Sequence, residues 1–97
     1  MSSQPPEYLA ALDRLLELAR GDTGQCRRVA NFLLAWHNGG ELGGFDLADL
    51  FCVDRAIARD MAIWFAYLAQ QPTAIYADAV GRDAEMRHIV TLWRDVD

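Results

Sequence analysis

The sequence predicts an all-α protein, a compact bundle of four to five helices packed around a central apolar helix. Three observations carry this. Met61 to Ala69 contains no charged residue and no helix breaker, and Ile57, Met61, Trp64 and Leu68 keep helical spacing through it. Two further stretches hold the i, i+3, i+4, i+7 rhythm: Cys26, Val29, Ala30, Leu33 and His37, then Met86, Ile89, Val90 and Trp93. Gly21 precedes the earliest of these stretches, and the glycine-rich run from Gly39 to Gly44 and Pro72 fall between them, where helices must stop.

Taken in order, residues 1–6 are small, polar and proline-bearing, and are expected to be a disordered lead-in to one helical domain over 7–97. Pro6 or Glu7 opens a helix over about 7–20, because proline's fixed φ suits a first turn, and Tyr8, Leu12, Leu15, Leu16 and Ala19 form its apolar face. Gly21 is expected as its left-handed C′ residue. Asp22 and Gln25 read as a capping box for a second helix over about 24–37. The short link makes the two helices neighbours.

Gly39 to Gly44 is an interhelical turn expected to need positive φ. It lacks a phosphate-cradle motif and follows a helix instead of a strand. Asp46 is an N-cap for Leu47, Leu50 and Phe51, and Asp54 could cap again, so 47–52 and 54–70 are either two helices or one. Pro72 ends the central helix. Residues 73–82 are ambiguous. Asp83 caps a final helix over about 83–94, with Asp83 and Arg87 as an i, i+4 pair.

Ninety-seven residues with 53% hydrophobic composition and three tryptophans suffice for one core. The net charge of -5 opposes direct binding of nucleic acid or an anionic membrane, which rests on clustered cations. All nine basic residues are arginine, so only planar bidentate donors are available. The central apolar run is too short for a bilayer span of about 20 residues. No basic or apolar leader stands at the start, and Cys26 and Cys52 lack metal-ligand or CxxC spacing, so buried free thiols in a reducing, cytoplasmic compartment are expected.

The run Leu18-Ala19-Arg20-Gly21-Asp22-Thr23-Gly24-Gln25, continued by Arg28 to Trp36 and by Gly43-Gly44-Phe45-Asp46-Leu47, resembles a family of small proteins of unknown function carried by proteobacterial integrative and conjugative elements. The likeness is strongest over 18–47 and extends weakly to Trp93-Arg94. It implies an accessory role in a mobile element and supplies no catalytic residue.

Glu41, Asp46, Asp49 and Asp54 place four acids and no base between Asn38 and Asp54. They read either as caps and first-turn acids or as a docking patch for a basic protein. Their order does not match a calcium loop, so no metal or cofactor is expected. Ile63, Phe65 and Tyr67 cannot all face one small core along with Trp64, and are candidates for an apolar interface with a protein partner, itself included.

Adjacent Arg27 and Arg28, and Arg55 and Arg59 on one face, could bind an anion or a carboxylate partner, and Arg55 and Arg59 are expected instead to pair with Asp54, Asp60 or an acid of another helix. Cysteine-histidine catalysis through Cys26, Cys52, His37 or His88 needs an exposed, activated thiol, and both cysteines sit on apolar stripes. The expected function is therefore a non-enzymatic protein-interaction or accessory protein. The alternatives are an acidic, phosphate-mimicking inhibitor of a nucleic-acid-handling complex, such as an anti-CRISPR protein, and a small cysteine-histidine enzyme.

Overall fold

The computed structural model describes residues 6–94. Among them are four α-helices and two short 3-10 turns, with no strand: α1 (Glu7–Ala19), α2 (Gly24–Leu42), α3 (Arg55–Ala69) and α4 (Asp83–Arg94). The 3-10 turns are Leu47–Cys52 and Ala77–Val80. The all-α bundle is as expected. Apart from Pro6, the N-cap of α1, the expected lead-in over 1–6 lies outside the described residues, as do 95–97.

The helix at the centre is α1, not α3. It packs against the other three helices, while α3 packs chiefly on α1. The cause is the width of its apolar face: Ala11, Leu12, Leu15, Leu16 and Ala19 are all buried, where α2, α3 and α4 pack on it. One cluster joins these residues to Val29, Leu33 and Leu34 of α2, Ile57, Met61 and Trp64 of α3, and Met86 and Ile89 of α4. On α3 the apolar girth is only partly covered. Trp64 is fully buried, but Phe65 is 64% exposed, and Ala62 and Ala66 face water.

Two adjacent residues of α1 lock the bundle from the polar side. Arg14 donates from Nε and a terminal nitrogen to the two oxygens of Asp60 on α3, at 2.9 and 2.8 Å. Asp13 accepts the same two-pronged grip from Arg82, just before α4, at 2.6 and 3.0 Å. Fork-to-fork pairs fix orientation as well as distance. Each carboxylate stabilises the charged guanidinium, so Arg14 and Arg82 are both held above the ordinary arginine range, through the hydrogen bond first. Indole donors add two ties: Trp93 to the Ala19 carbonyl at 2.6 Å and Trp36 to that of Ile75 at 2.8 Å.

Several local expectations are corrected. The N-cap of α2 is Thr23, whose hydroxyl accepts from the Cys26 amide at 3.1 Å, because the helix starts one residue later than a box opened by Asp22 requires. Gly21 does not take a left-handed conformation. It is needed for space, since a Cβ there would lie 2.6 Å from the Cys26 sulfur. α2 continues past residue 37 to Leu42 across a kink at Asn38, whose side chain accepts from the Glu41 amide at 3.4 Å and caps the extra turn. Gly39 and Gly40 are therefore helical, and within the glycine-rich run only Gly43 has positive φ, at 96°.

Residues 47–52 and α3 are two elements, separated by extended Val53. The ambiguous stretch 73–82 contains the second 3-10 turn, with Ala77 buried. Asp83 lies in the first turn of α4 and pairs with Arg87 as expected, but the preceding Arg82 occupies the cap, with its carbonyl accepting from Met86.

The Arg14–Asp60 pair makes an asymmetric prediction. Asp60→Ala releases an arginine whose side chain is already 56% exposed, whereas Arg14→Ala strands a carboxylate only 10% exposed. Urea unfolding is expected to show a small loss of stability for the first and a clearly larger one for the second.

Candidate docking groove

The 3-10 turn Leu47–Cys52 crosses between α2 and α3 and leaves an apolar groove of about 690 Å³. Its walls are Phe32, Ala35 and Trp36 from α2, Phe45, Leu47, Leu50 and Phe51 from the turn region, and Ala58, Met61, Ala62, Phe65 and Leu68 from α3. Arg55 is the one charged side chain among them. The mouth is ringed by Phe51, Leu47 and Phe65, exposed to 84%, 73% and 64%.

The turn's own geometry explains this placement. In a 3-10 helix residues three apart eclipse one another, so Leu47 and Leu50 follow one line, which dips from exposed to half-buried, and extended Val53 just past the turn is buried. Phe51 stands off that line and points outward. Asp46 starts the turn by accepting from the Ala48 amide at 3.0 Å, and Arg55 finishes it by donating to the carbonyls of Leu50 and Val53 at 2.8 and 3.0 Å.

Two contacts tie this turn to α2. Arg28 pairs with Asp49 at 3.4 Å. Gln25 accepts the Asp54 amide at 2.6 Å and donates to the Asp54 carboxylate at 3.4 Å. Three of the four expected docking acids thus have work inside the chain: Asp46 as a cap, Asp49 as an ion-pair partner and Asp54 as an anchor. Glu41 is exposed on the last turn of α2. Arg55 does not pair with a carboxylate as expected, since it caps the turn, and Asp60 is taken by Arg14.

The expected apolar interface is split three ways. Phe65 stands at the groove mouth, while Ile63 faces a separate hollow with Glu7, Arg14, Ala56, Arg59 and Asp60. Tyr67 stacks on Tyr8 with ring centroids 3.7 Å apart and leans on Trp64 at 5.3 Å. Hydrogen bonding to Tyr8, then burial, holds the Tyr67 phenol above its ordinary range. That contribution to stability is in place at neutral pH and is lost as pH rises through the raised Tyr67 ionisation.

Sequence spacing marks Leu47, Leu50 and Phe51 only as the apolar positions of a capped segment and does not gather them with α2 into a groove. A six-residue element bounded by Asp46 and Asp54 cannot bury Leu47 and Phe51 at once, and that was the available signal.

Cys26 is buried, and its sulfur accepts from the Thr23 hydroxyl at 3.0 Å. Cys52 is exposed, which corrects the expectation of two buried thiols; it sits on the outer side of the turn beside Phe51. His88 is exposed, and the Nδ1 of His37 is buried without a hydrogen-bond partner. Among the described residues no three His, Cys, Asp or Glu side chains gather as a metal site, and no helix is long and apolar enough to cross a membrane.

A model of a family of unknown function, DUF7673, matches residues 9–94. The chain belongs to this family. The DUF7673 span takes in every residue of the groove and both arginine clamps on α1. No curated protein and no solved structure matches the chain.

The contrast between the two cysteines is directly measurable. A thiol-reactive chromophore is expected to label one site in the native protein, lost in Cys52→Ser, with Cys26 reacting only on unfolding. Fast native labelling of Cys26 would contradict the described packing.

Proposed function

We propose that this protein is a non-enzymatic protein-interaction module that acts by accepting an apolar protein surface in the groove between α2, the 47–52 turn and α3. The observation that carries the reading is the groove mouth: Phe51, Leu47 and Phe65 stand out in water around an almost wholly apolar hollow. Burying a side chain of this size stabilises a protein by about 1.5–3 kcal/mol. A chain that leaves three of them outside on one face forgoes that gain in the free state and recovers it on association. The resemblance to proteins of integrative and conjugative elements supports an accessory role in a mobile element as the setting.

An acidic inhibitor that docks on a basic nucleic-acid-binding protein is the second reading. Exposed Glu41, Asp46 and Asp54 favour it. It ranks below the first because Asp46, Asp49 and Asp54 are engaged by groups of the chain itself.

Replacing Phe51 by the photo-crosslinker p-benzoylphenylalanine in the expressing cell tests the docking reading. Irradiation is expected to yield a covalent adduct with a protein, lost when Phe65→Glu is added. Recovery of the uncrosslinked chain alone would contradict it.

A further inference from the structure

Tyr8 and Tyr67 lie on each other in a way that packing alone does not ask for. Their rings are 5° from parallel with centroids 3.7 Å apart, which leaves little sideways offset. Aromatic quadrupoles favour an offset or edge-on approach. Phe32 with Phe45 and Trp36 with Trp64 take the edge-on form, at 82° and 70° between ring planes. The face-to-face form is instead the one from which two phenol rings can be joined. We infer that Tyr8 and Tyr67 are a site of oxidative modification, at which a one-electron oxidant links α1 to α3 through an intramolecular dityrosine bond.

The fold holds the pair in register. α1 and α3 run antiparallel, with Tyr8 in the first turn of α1 against Tyr67 in the last turn of α3. About two turns further along α1, Arg14 grips Asp60 through two hydrogen bonds, so the helices cannot slide and carry the rings apart. Fully buried Trp64 backs Tyr67 at 5.3 Å and Tyr8 at 6.3 Å. Both tyrosines are only half-buried, so a small oxidant reaches them from solvent. Their hydroxyls stand at the same end of the stack, where they share a hydrogen bond. The carbons ortho to each hydroxyl, on which a phenoxyl radical carries much of its unpaired electron, therefore face one another.

The oxidant is the one co-reactant the step needs. Each tyrosine gives one electron to an oxidant equivalent and its phenolic proton to water, which leaves two phenoxyl radicals. A carbon-carbon bond then forms between the facing ortho carbons. The hydrogen on each of those carbons is lost as a proton while a proton returns to each oxygen, and both phenols are restored. Two electrons and two protons leave in all, so the product is two hydrogens lighter. A link between residues 8 and 67 closes most of the chain into one loop and restricts the unfolded state.

Photo-oxidation by tris(bipyridyl)ruthenium and persulfate tests the inference, on the full chain at high dilution, carrying Cys52→Ser so that no exposed thiol consumes oxidant. Irradiation is expected to give dityrosine fluorescence in a product of monomer size, two hydrogens lighter, in which tryptic peptide 1–14 is joined to 60–82. The linked product is expected to unfold at a higher urea concentration than the unlinked chain. Tyr8→Phe and Tyr67→Phe, which keep the rings, are each expected to abolish it, with circular dichroism confirming helix content. Tyr76→Phe, at the third and more exposed tyrosine, is expected to leave it in place. Irradiation of the chain in urea is expected to lose it.

Fluorescence confined to chains joined to one another would overturn the inference, as would a product that survives Tyr67→Phe. So would an equal yield from the urea-unfolded chain, or no dityrosine at all.

Discussion

Gln25 holds the segment on which the rest of the site depends. Its carboxamide takes the Asp54 amide hydrogen at 2.6 Å and returns a donor to the Asp54 carboxylate at 3.4 Å, so one side chain near the start of α2 grips the residue that begins α3. With Arg28 on Asp49 three residues further along α2, this pins the 47–52 turn across the helix at two places. A turn fixed so cannot roll inward to bury Leu47 and Phe51. Its polar residues are spent on anchoring, and its apolar residues are left at the surface.

The rest of the fold is arranged so that this exposure can be tolerated. Stability is concentrated on α1, whose apolar face is fully covered and whose adjacent Asp13 and Arg14 clamp α4 and α3 through paired hydrogen bonds. The Tyr8, Trp64 and Tyr67 stack and the Trp36 contact with Trp64 fill the far side of the α1 and α3 interface with aromatic rings. α3 thus has two lives: one face completes the core through Ile57, Met61 and Trp64, and the other forms a groove wall through Ala58, Ala62 and Phe65.

Helical periodicity made the bundle legible, because each helix carries a stripe at the spacing burial requires. It misplaced the centre. An uncharged run such as Met61 to Ala69 looks buried on every side, yet apolar girth marks an interface as readily as a core, and only tertiary packing separates the two. Hydrogen-bond partners far apart in sequence were not legible at all. Nothing local distinguishes a Gln25 that closes a capping box from one that reaches across 29 positions to Asp54. For the same reason Ile63, Phe65 and Tyr67 looked like one surface, although successive residues of a helix point to different sides and the three ended on three.

The 47–52 turn is held open, with its apolar residues outside the chain's own core. Paramagnetic relaxation enhancement by a neutral, water-soluble agent measures this directly, at a dilution where the chain is monomeric. Strong broadening of the Leu47, Phe51 and Phe65 side chains is expected, while Met61 and Trp64 stay sharp. Protection of Leu47 and Phe51 equal to that of Met61 would show instead a turn folded into its own groove.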